Sequence, residues 1–251
     1  MRNLLLSIKY DGSVFHGWQV QKNAVTVQEV FQNAVYKILN EKPSIKGCSR
    51  TDSGVHALMY CVSFKTESAI KCENLIAALN TVLPPEIAVT GCCEAGDDFH
   101  ARYSCESKQY IYKICNEKIR NPFSAKYEYF YKYPIDAELL NEAAQEFVGT
   151  YDFAAFCSSR SDVECTVRTI KSFSVSREGS TVIFKVEADG FLYNMVRILV
   201  GTLLFVAQGK ITPADIKGII NSKNRARAGK TAPPNGLYLN KVKYKEEYFE
   251  Q

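Results

Sequence analysis

The chain has 251 residues, 46% of them hydrophobic, and 31 basic against 27 acidic residues give a formal net charge of +4 at pH 7. This length and composition suffice for one large core or two small ones. The small charge does not by itself mark a nucleic-acid-binding protein. The longest uncharged apolar run, residues 198–209, is too short to span a bilayer, so we expect no membrane partner.

The nine cysteines and three histidines constrain the chemistry that the chain can perform. The cysteines include no CxxC spacing, and the first residues do not resemble a signal peptide, which indicates free thiols in the cytoplasm. His16, His56 and His100 lie far apart with no HExxH motif, so we expect neither a metal site nor a cofactor.

Hydrophobic periodicity predicts a first half in the order β-α-β-β-α-β, which is typical of a ferredoxin-like unit. The predicted elements are strands at residues 3–10, 44–46, 60–66 and 87–93 and helices at 26–39 and 72–81. Thr26 and Glu29 form the pattern of a capping box at the start of the first helix. Its apolar stripe is that of a core-facing helix.

The second half repeats this plan loosely. Its predicted elements are strands at residues 108–116, 127–133, 167–176, 181–188 and 237–244 and helices at 136–148, 193–208 and from Thr212. We therefore predict an α/β (α+β) fold of two ferredoxin-like or RRM-like halves, residues 1–103 and 104–251. The halves are expected to share a mostly antiparallel sheet with a central cleft.

The most polar turn of the chain, GCSRTDSGVHA at residues 47–57, contains a single carboxylate, Asp52. Ser, Thr, Asp and Gly favour turns, so this residue could simply cap the loop. Arg50 is able to keep the acid ionised, and Arg50 and His56 lie in a loop that needs no charge in order to fold. Loops on rigid strands often carry chemistry, and we therefore predict a functional Asp52.

Arg197 stands one turn into the segment FLYNMVRILVGTLLFVAQG, which is apolar on every side and should form a buried helix. A buried guanidinium is costly unless it is paired, so we expect Arg197 to find an anion. Arginine can also reach solvent by extending its stem, but the position of Arg197 well before the helix end argues against that.

The turn closely resembles the RTDxGVHA signature of the TruA family of tRNA pseudouridine synthases, in which the Asp is the nucleophile. Similar motifs cover most of the chain in the family's order. They are YDGxxFxGWQxQ at residues 10–21, FHAR at 99–102, KQYIY at 108–112, NMVR at 194–197 and AGKTAP with GLYL at 228–239. Ser49, Gln208 and Pro234 depart from the usual family residues.

The resemblance implies a role for each matching residue. Asp52 would be the nucleophile, Arg197 its ion-pair partner, and Tyr110 the platform on which a flipped uracil packs. Arg50 and His56 would join the substrate site. A strand tyrosine is more often core than ligand, and only the family pattern favours the functional interpretation of Tyr110.

Basic residues at four further positions are predicted to contact RNA. They are Arg102, Arg225, Arg227 and Lys230. Arg102 could equally close a hinge by hydrogen bonds, and a short basic run such as residues 225–230 is usually solvated surface. Likeness to the family's AGxTAP segment favours a place in the active-site architecture.

By this resemblance the chain isomerises uridine to pseudouridine in the anticodon arm of tRNA, as a cytoplasmic homodimer and without a cofactor. The residues leave open which atom Asp52 attacks first. A synthase acting on ribosomal RNA would have nearly the same sequence. A non-catalytic RNA-binding module or a scaffolding protein would need no polar turn with a carboxylate between basic residues.

Overall fold

The computed structural model describes residues 1–158 and 164–249, which form ten strands and five α-helices. The strands are β1 Arg2–Tyr10, β2 Lys46–Gly47, β3 His56–Thr66, β4 Ile87–Ala95, β5 Cys105–Cys115, β6 Tyr129–Phe130, β7 Gly149–Asp152, β8 Val167–Glu178, β9 Thr181–Ala188 and β10 Leu237–Tyr244. The helices are α1 Val27–Leu39, α2 Cys72–Val82, α3 Ala137–Gln145, α4 Met195–Ala207 and α5 Asp215–Ser222. The predicted α/β class and mostly antiparallel strand pairing are confirmed.

The chain divides into two compact units. Unit 1 contains Met1–Glu106 and Tyr238–Gln251, and unit 2 contains Ser107–Leu237. The sequence-based division at residues 103 and 104 instead left the last strand with the second half. All of β10 except Leu237 falls in unit 1, where it pairs in parallel with β3 and Tyr238 lies opposite His56.

Unit 1 has the strand order β4-β1-β3-β10, with the short β2 added to β3. Leu4, Leu5 and Leu6 of the central β1 are all fully buried, so this strand is covered on both faces. α2 contacts both β4 and α1. Thr26 caps α1 as predicted, because its hydroxyl accepts the Glu29 backbone N–H at 3.4 Å.

Unit 2 has the strand order β5-β9-β8-β7, with β6 parallel to β5. α3 packs on β8 and contacts α4, while α5 contacts β7. As the sequence predicted, α4 is buried around almost its whole circumference. Within the described residues, no helix has both the length and the apolar character needed to cross a bilayer.

The strand predicted at 127–133 is wrong in length, since only Tyr129 and Phe130 pair with β5. After Phe130, the carbonyl oxygens of Tyr131 and Tyr133 each accept a hydrogen bond of 2.7 Å from the Asn116 side-chain amide. The Tyr131 N–H still donates to the Cys115 carbonyl at 3.0 Å, and beyond it side-chain hydrogen bonds replace the strand ladder. The alternating aromatic residues of this segment predicted a longer strand than the backbone hydrogen bonds of the folded chain form.

Candidate functional site

Asp52 lies in the turn between β2 and β3 and is half-buried. The Val55 N–H donates to the Asp52 carbonyl oxygen at 3.2 Å, which closes the turn. Gly54 has a φ of +77°, a backbone conformation that side chains with a Cβ rarely adopt. The glycine of the motif is therefore needed to reverse the chain directly after Asp52.

A second loop, residues 11–18, lies against this turn with two glycines at the points of contact. A Cβ built on Gly12 would lie 2.0 Å from the Val55 carbonyl oxygen, and one on Gly17 would lie 2.5 Å from that of Thr51. The Trp18 N–H also donates to the Thr51 carbonyl at 3.1 Å. Only glycine allows the two backbones to approach this closely, so the loop holds the residue before Asp52 in place.

Buried aromatic side chains support the turn from inside unit 1. The Trp18 ring stacks on the Tyr60 ring at 4.2 Å, and a Cβ on Gly47 would contact both side chains. The Tyr60 hydroxyl donates to the Ser49 carbonyl. The Tyr10 and Thr51 hydroxyls share a hydrogen bond of 2.8 Å.

His56 is buried, with 2% of its surface exposed, and its ring stacks on Tyr238 at 4.7 Å. Its Nδ1 accepts the Gly12 backbone N–H at 3.1 Å. The same nitrogen lies 3.1 Å from Asp11 Oδ1, but it cannot donate there while it accepts from Gly12. Either contact fastens loop 11–18 to the start of β3.

The two basic residues of unit 1 that were predicted to bind RNA or substrate, Arg50 and Arg102, are exposed. The Arg102 guanidinium lies 6.0 Å from the ring centre of Tyr103. The Arg102 backbone N–H donates to His100 Nδ1 at 3.1 Å. Burial and the nearby Lys46 ammonium lower the pKa of His100, so this ring is neutral at pH 7 and adds no charge.

In unit 2, Tyr110 is only 5% exposed and meets the edge of Phe191, with ring centres 5.0 Å apart. Tyr112 lies on the same face of β5, as the alternation predicted. Its hydroxyl donates to the Pro233 carbonyl at 2.7 Å, and burial raises its pKa. Tyr112 therefore anchors the segment after the basic run.

Arg197 is half-buried in the first turn of α4. Its Nε donates to the Ala232 carbonyl at 2.7 Å and its Nη1 to Asn194 Oδ1 at 2.6 Å. The Ala232 N–H donates in return to the Arg197 carbonyl at 3.1 Å. The guanidinium is thus held by acceptors from two directions within unit 2.

Asn194, immediately before α4, has a φ of +61° and a ψ of +7°, in the left-handed region. Asparagine tolerates this conformation better than most residues. While Oδ1 accepts from Arg197, its Nδ2 donates to the Ser158 hydroxyl at 3.0 Å. Asn194 therefore orients the Arg197 side chain, a role that the sequence did not indicate.

The end of the basic run crosses α4, with one glycine on each side of the contact. A Cβ on Gly201 would lie 1.7 Å from the Lys230 carbonyl oxygen, and one on Gly229 would lie 2.2 Å from the Gly201 carbonyl carbon. The Gly229 N–H donates to the Thr202 hydroxyl at 2.8 Å. This crossing brings the Ala232 carbonyl to Arg197.

Three basic residues precede or join this crossing. Arg225 donates to the Gly229 carbonyl at 2.9 Å and to the Thr231 hydroxyl at 3.1 Å, and burial lowers its pKa. Its guanidinium therefore stabilises the conformation of residues 229–231 through hydrogen bonds. Arg227 and Lys230 are exposed.

The family model described as tRNA pseudouridine synthase matches residues 6–104 and 143–245. The proteins named tRNA pseudouridine synthase A of a Thermoanaerobacter species and of Clostridium acetobutylicum are 47% and 45% identical to this chain. Each alignment covers 97% of this chain and 100% of the relative. The chain belongs to the tRNA pseudouridine synthase family.

A chain of a solved Cbf5-Nop10-Gar1 complex aligns with 96% of this chain and 50% of its own length, at a TM-score of 0.44 and 14% identity. That likeness is too distant to add to the assignment. Family membership confirms the resemblance and the enzyme class that the motifs predicted, a tRNA pseudouridine synthase.

Family membership does not test the role of any single residue, and those assignments stay predictions. The structure places Asp52, Arg50, His56 and Arg102 in unit 1, and Tyr110, Arg197, Arg225, Arg227 and Lys230 in unit 2. Within residues 1–158 and 164–249, no three His, Cys, Asp or Glu side chains cluster in a way that would hold a metal ion.

Proposed function

We propose that this synthase converts uridine to pseudouridine in the anticodon arm of tRNA, with Asp52 as the nucleophile. The observation that carries the proposal is the construction of the Asp52 turn. Backbone contacts at Gly12, Gly17 and Gly54 hold this turn, and Asp52 remains partly accessible at its tip. A fixed and partly accessible carboxylate is what covalent catalysis requires.

The reaction breaks the bond between uracil N1 and ribose C1′, turns the base, and joins C5 to C1′. The proton lost from C5 is balanced by one gained at N1, so the isomerisation needs no redox partner and no net water. A carboxylate nucleophile divides this exchange into two steps through a covalent intermediate. Asp52 would supply that nucleophile.

Tyr110 and Arg197 have supporting roles in the proposal. Tyr110 would pack against the flipped uracil, and its hydroxyl would assist removal of the C5 proton. Arg197 would pair with the Asp52 carboxylate. The family resemblance supports these assignments.

We propose that RNA phosphates contact Arg102, Arg227 and Lys230, all of which are exposed. Arg225 was predicted in the same group, and it would act by holding residues 229–231 as well as by its charge. Arg50 and His56 complete the substrate site in the proposal. For His56 the contribution would be to fix loop 11–18, since its ring is buried.

We also propose a cytoplasmic homodimer with tRNA lying across both subunits. The net charge of +4 is small for holding a folded RNA on one copy. All nine cysteines lie in the described part of the chain and are free thiols, which fits a reducing compartment. Light scattering on the active enzyme tests the dimer, and a monomer that modifies tRNA would contradict it.

The experiment for the activity is tritium release from 5-tritiated uridine in tRNA transcripts, followed by mapping of pseudouridine positions. We expect release with wild-type chain, none with Asp52→Asn, and pseudouridine confined to the anticodon arm. Ribosomal RNA transcripts serve as the competing substrate. Modification of ribosomal RNA in preference to tRNA would overturn the proposed substrate, and release by Asp52→Asn would overturn the nucleophile.

A further inference from the structure

The chain between β5 and β6 spans residues 116–128, and its central ten residues, the 118–127 loop, expose apolar side chains among positive charges. Phe123 is 91% exposed and Ile119 79%. A single exposed apolar residue is ordinary on a protein surface. Here two lie within five residues, and the ten-residue loop contains Lys118, Arg120 and Lys126 with no acidic residue. These ten residues therefore carry 3 − 0 = +3, and with Glu117 and Glu128 on either side the whole loop 116–128 carries 3 − 2 = +1.

The loop is ordered by its own hydrogen bonds. The Phe123 N–H donates to Asn121 Oδ1 at 3.0 Å, and the Tyr127 N–H donates to the Ser124 carbonyl at 2.8 Å. These two turns fix the backbone on both sides of Phe123. The ring is therefore presented to solvent by a defined backbone, which lowers the entropy that a partner must remove on binding.

Hydrogen bonds also join this loop to residues 232–235, the segment whose Ala232 carbonyl accepts from Arg197. The Asn235 side-chain amide donates to the carbonyl oxygens of Ala125 and Glu128 at 2.9 and 2.7 Å. Asn235 follows Pro233, whose carbonyl accepts the Tyr112 hydroxyl, and Ala232, whose carbonyl accepts Arg197 Nε. A continuous set of hydrogen bonds in unit 2 thus joins the loop to the candidate active-site residues.

We infer that the 118–127 loop is a second RNA-binding element, in which Phe123 stacks on an unpaired nucleotide while Lys118 and Arg120 bind the flanking phosphates. An exposed phenylalanine offers a π-face without hydrogen bonds, and this suits stacking on any base. The adjoining cations suit a polyanion better than an apolar protein surface. The inference rests on the proposed function, because it takes tRNA as the RNA.

A photo-crosslinking phenylalanine analogue at position 123, in the full-length chain with end-labelled tRNA, tests the contact directly. We expect a crosslink to RNA within unpaired nucleotides. The control position is Tyr36, an aromatic residue that is 44% exposed beside Lys42. No crosslink, or a crosslink only to a second copy of the chain, would overturn the inference. This readout needs no turnover, so it stays separate from a failure of the proposed reaction.

Substitution then measures the contribution of the loop. We expect Phe123→Ala to weaken tRNA binding roughly tenfold and Phe123→Trp to restore it, since stacking is lost and regained. Phe123→Leu keeps an apolar side chain and should resemble Phe123→Ala. In Lys118→Ala/Arg120→Ala, the slope of log affinity against log salt should fall by about 1.4, roughly 0.7 for each single-strand phosphate contact. Tyr36→Ala should bind like wild type, and unchanged affinity in Phe123→Ala would contradict the inference.

Discussion

The Asp52 turn in unit 1 and the start of α4 in unit 2 each hold a charged side chain, but they do so by different means. Asp52 is positioned through its backbone, because loop 11–18 contacts the neighbouring peptide groups. Arg197 is positioned through its side chain, because Asn194 and the Ala232 carbonyl accept from the guanidinium itself. Backbone contacts fix the position of the Asp52 turn, whereas side-chain contacts restrict the Arg197 guanidinium to one orientation.

The two regions also share one structural feature, a close approach of two backbone segments at a glycine. In each, a glycine lets a second segment approach the backbone more closely than a Cβ would allow, at Gly12 in unit 1 and at Gly201 in unit 2. The contrast predicts that changes at the charged side chains alter turnover, while changes at the glycines alter folding. The variants below test that separation.

The largest effect is expected for Asp52→Asn. If backbone contacts position this residue, the amide keeps the structure of the turn and removes only the nucleophile, so turnover should fall below one thousandth of wild type with nearly unchanged tRNA affinity. Single-turnover kinetics and a filter-binding assay measure the two quantities. Ser53→Ala, at the exposed neighbouring position, serves as control and should stay within a few-fold of wild type. Residual Asp52→Asn turnover above that limit would show that another group does the chemistry.

Arg197→Met should lower turnover by roughly two orders of magnitude, about what the loss of one fixed charge contact costs in a site that excludes water. It also removes the donors to Ala232 and Asn194, so the free energy of unfolding should fall by about 1–3 kcal/mol. Arg225→Met is the matched comparison, since Arg225 likewise binds a carbonyl and a hydroxyl nearby.

For Arg225→Met we expect a similar loss of stability but turnover within about tenfold of wild type. Equal losses of turnover in the two arginine variants would mean that Arg197 acts only by holding residues 229–232. Thermal unfolding and single-turnover rates on both variants separate these cases.

Gly12→Ala and Gly201→Ala should each lower the free energy of unfolding by about 3 kcal/mol, because the added methyl would meet a backbone carbonyl at 2.0 or 1.7 Å. Gly218→Ala is the control, since it lies inside α5 with open space around its Cα. That change should instead stabilise the chain by about 0.5–1 kcal/mol. Denaturant unfolding measures all three, and wild-type stability in the first two would refute the proposed close packing.

The smallest effect concerns an ion pair in unit 2. Lys223 Nζ lies 2.7 Å from Asp152 Oδ2, and the Thr166 hydroxyl donates to Oδ1 at 2.5 Å. Lys223 first and Thr166 second lower the pKa of Asp152. A lowered pKa in the folded state means that the stabilisation is present above the ordinary Asp pKa and is lost as pH falls through the folded value.

Asp152→Asn should therefore lower the free energy of unfolding at pH 7 by about 0.5–1 kcal/mol, as expected for a partly exposed pair. The difference from wild type should disappear when the pH falls below the folded pKa of Asp152. Glu146→Gln, at a looser pair of 4.0 Å with Lys217, is the control and should change little. A difference that is independent of pH would show that Asp152 acts as a hydrogen-bonding cap alone.

The amino-acid sequence by itself determined most secondary structure, because local patterns are strong in this chain. The apolar period and the Thr26 cap placed α1, and the continuous apolar segment around Arg197 placed α4. The polar turn singled out Asp52, and the family motifs determined the enzyme class. These signals are local or recur within a family, so they require no knowledge of distant contacts.

Tertiary structure alone decided what supports the candidate residues. Gly12 and Gly201 meet peptide groups that are distant in the chain, and sequence spacing does not encode such contacts. Asn194 gained its role only when the folded chain brought the Ser158 hydroxyl and the Arg197 guanidinium to its two side-chain atoms. The contacts of the folded chain group residues 238–251 with unit 1, where β10 pairs with β3. Apart from the local contact between Asn194 and Arg197, these partners are selected by packing and hydrogen bonding over long sequence separations, which local propensity does not determine.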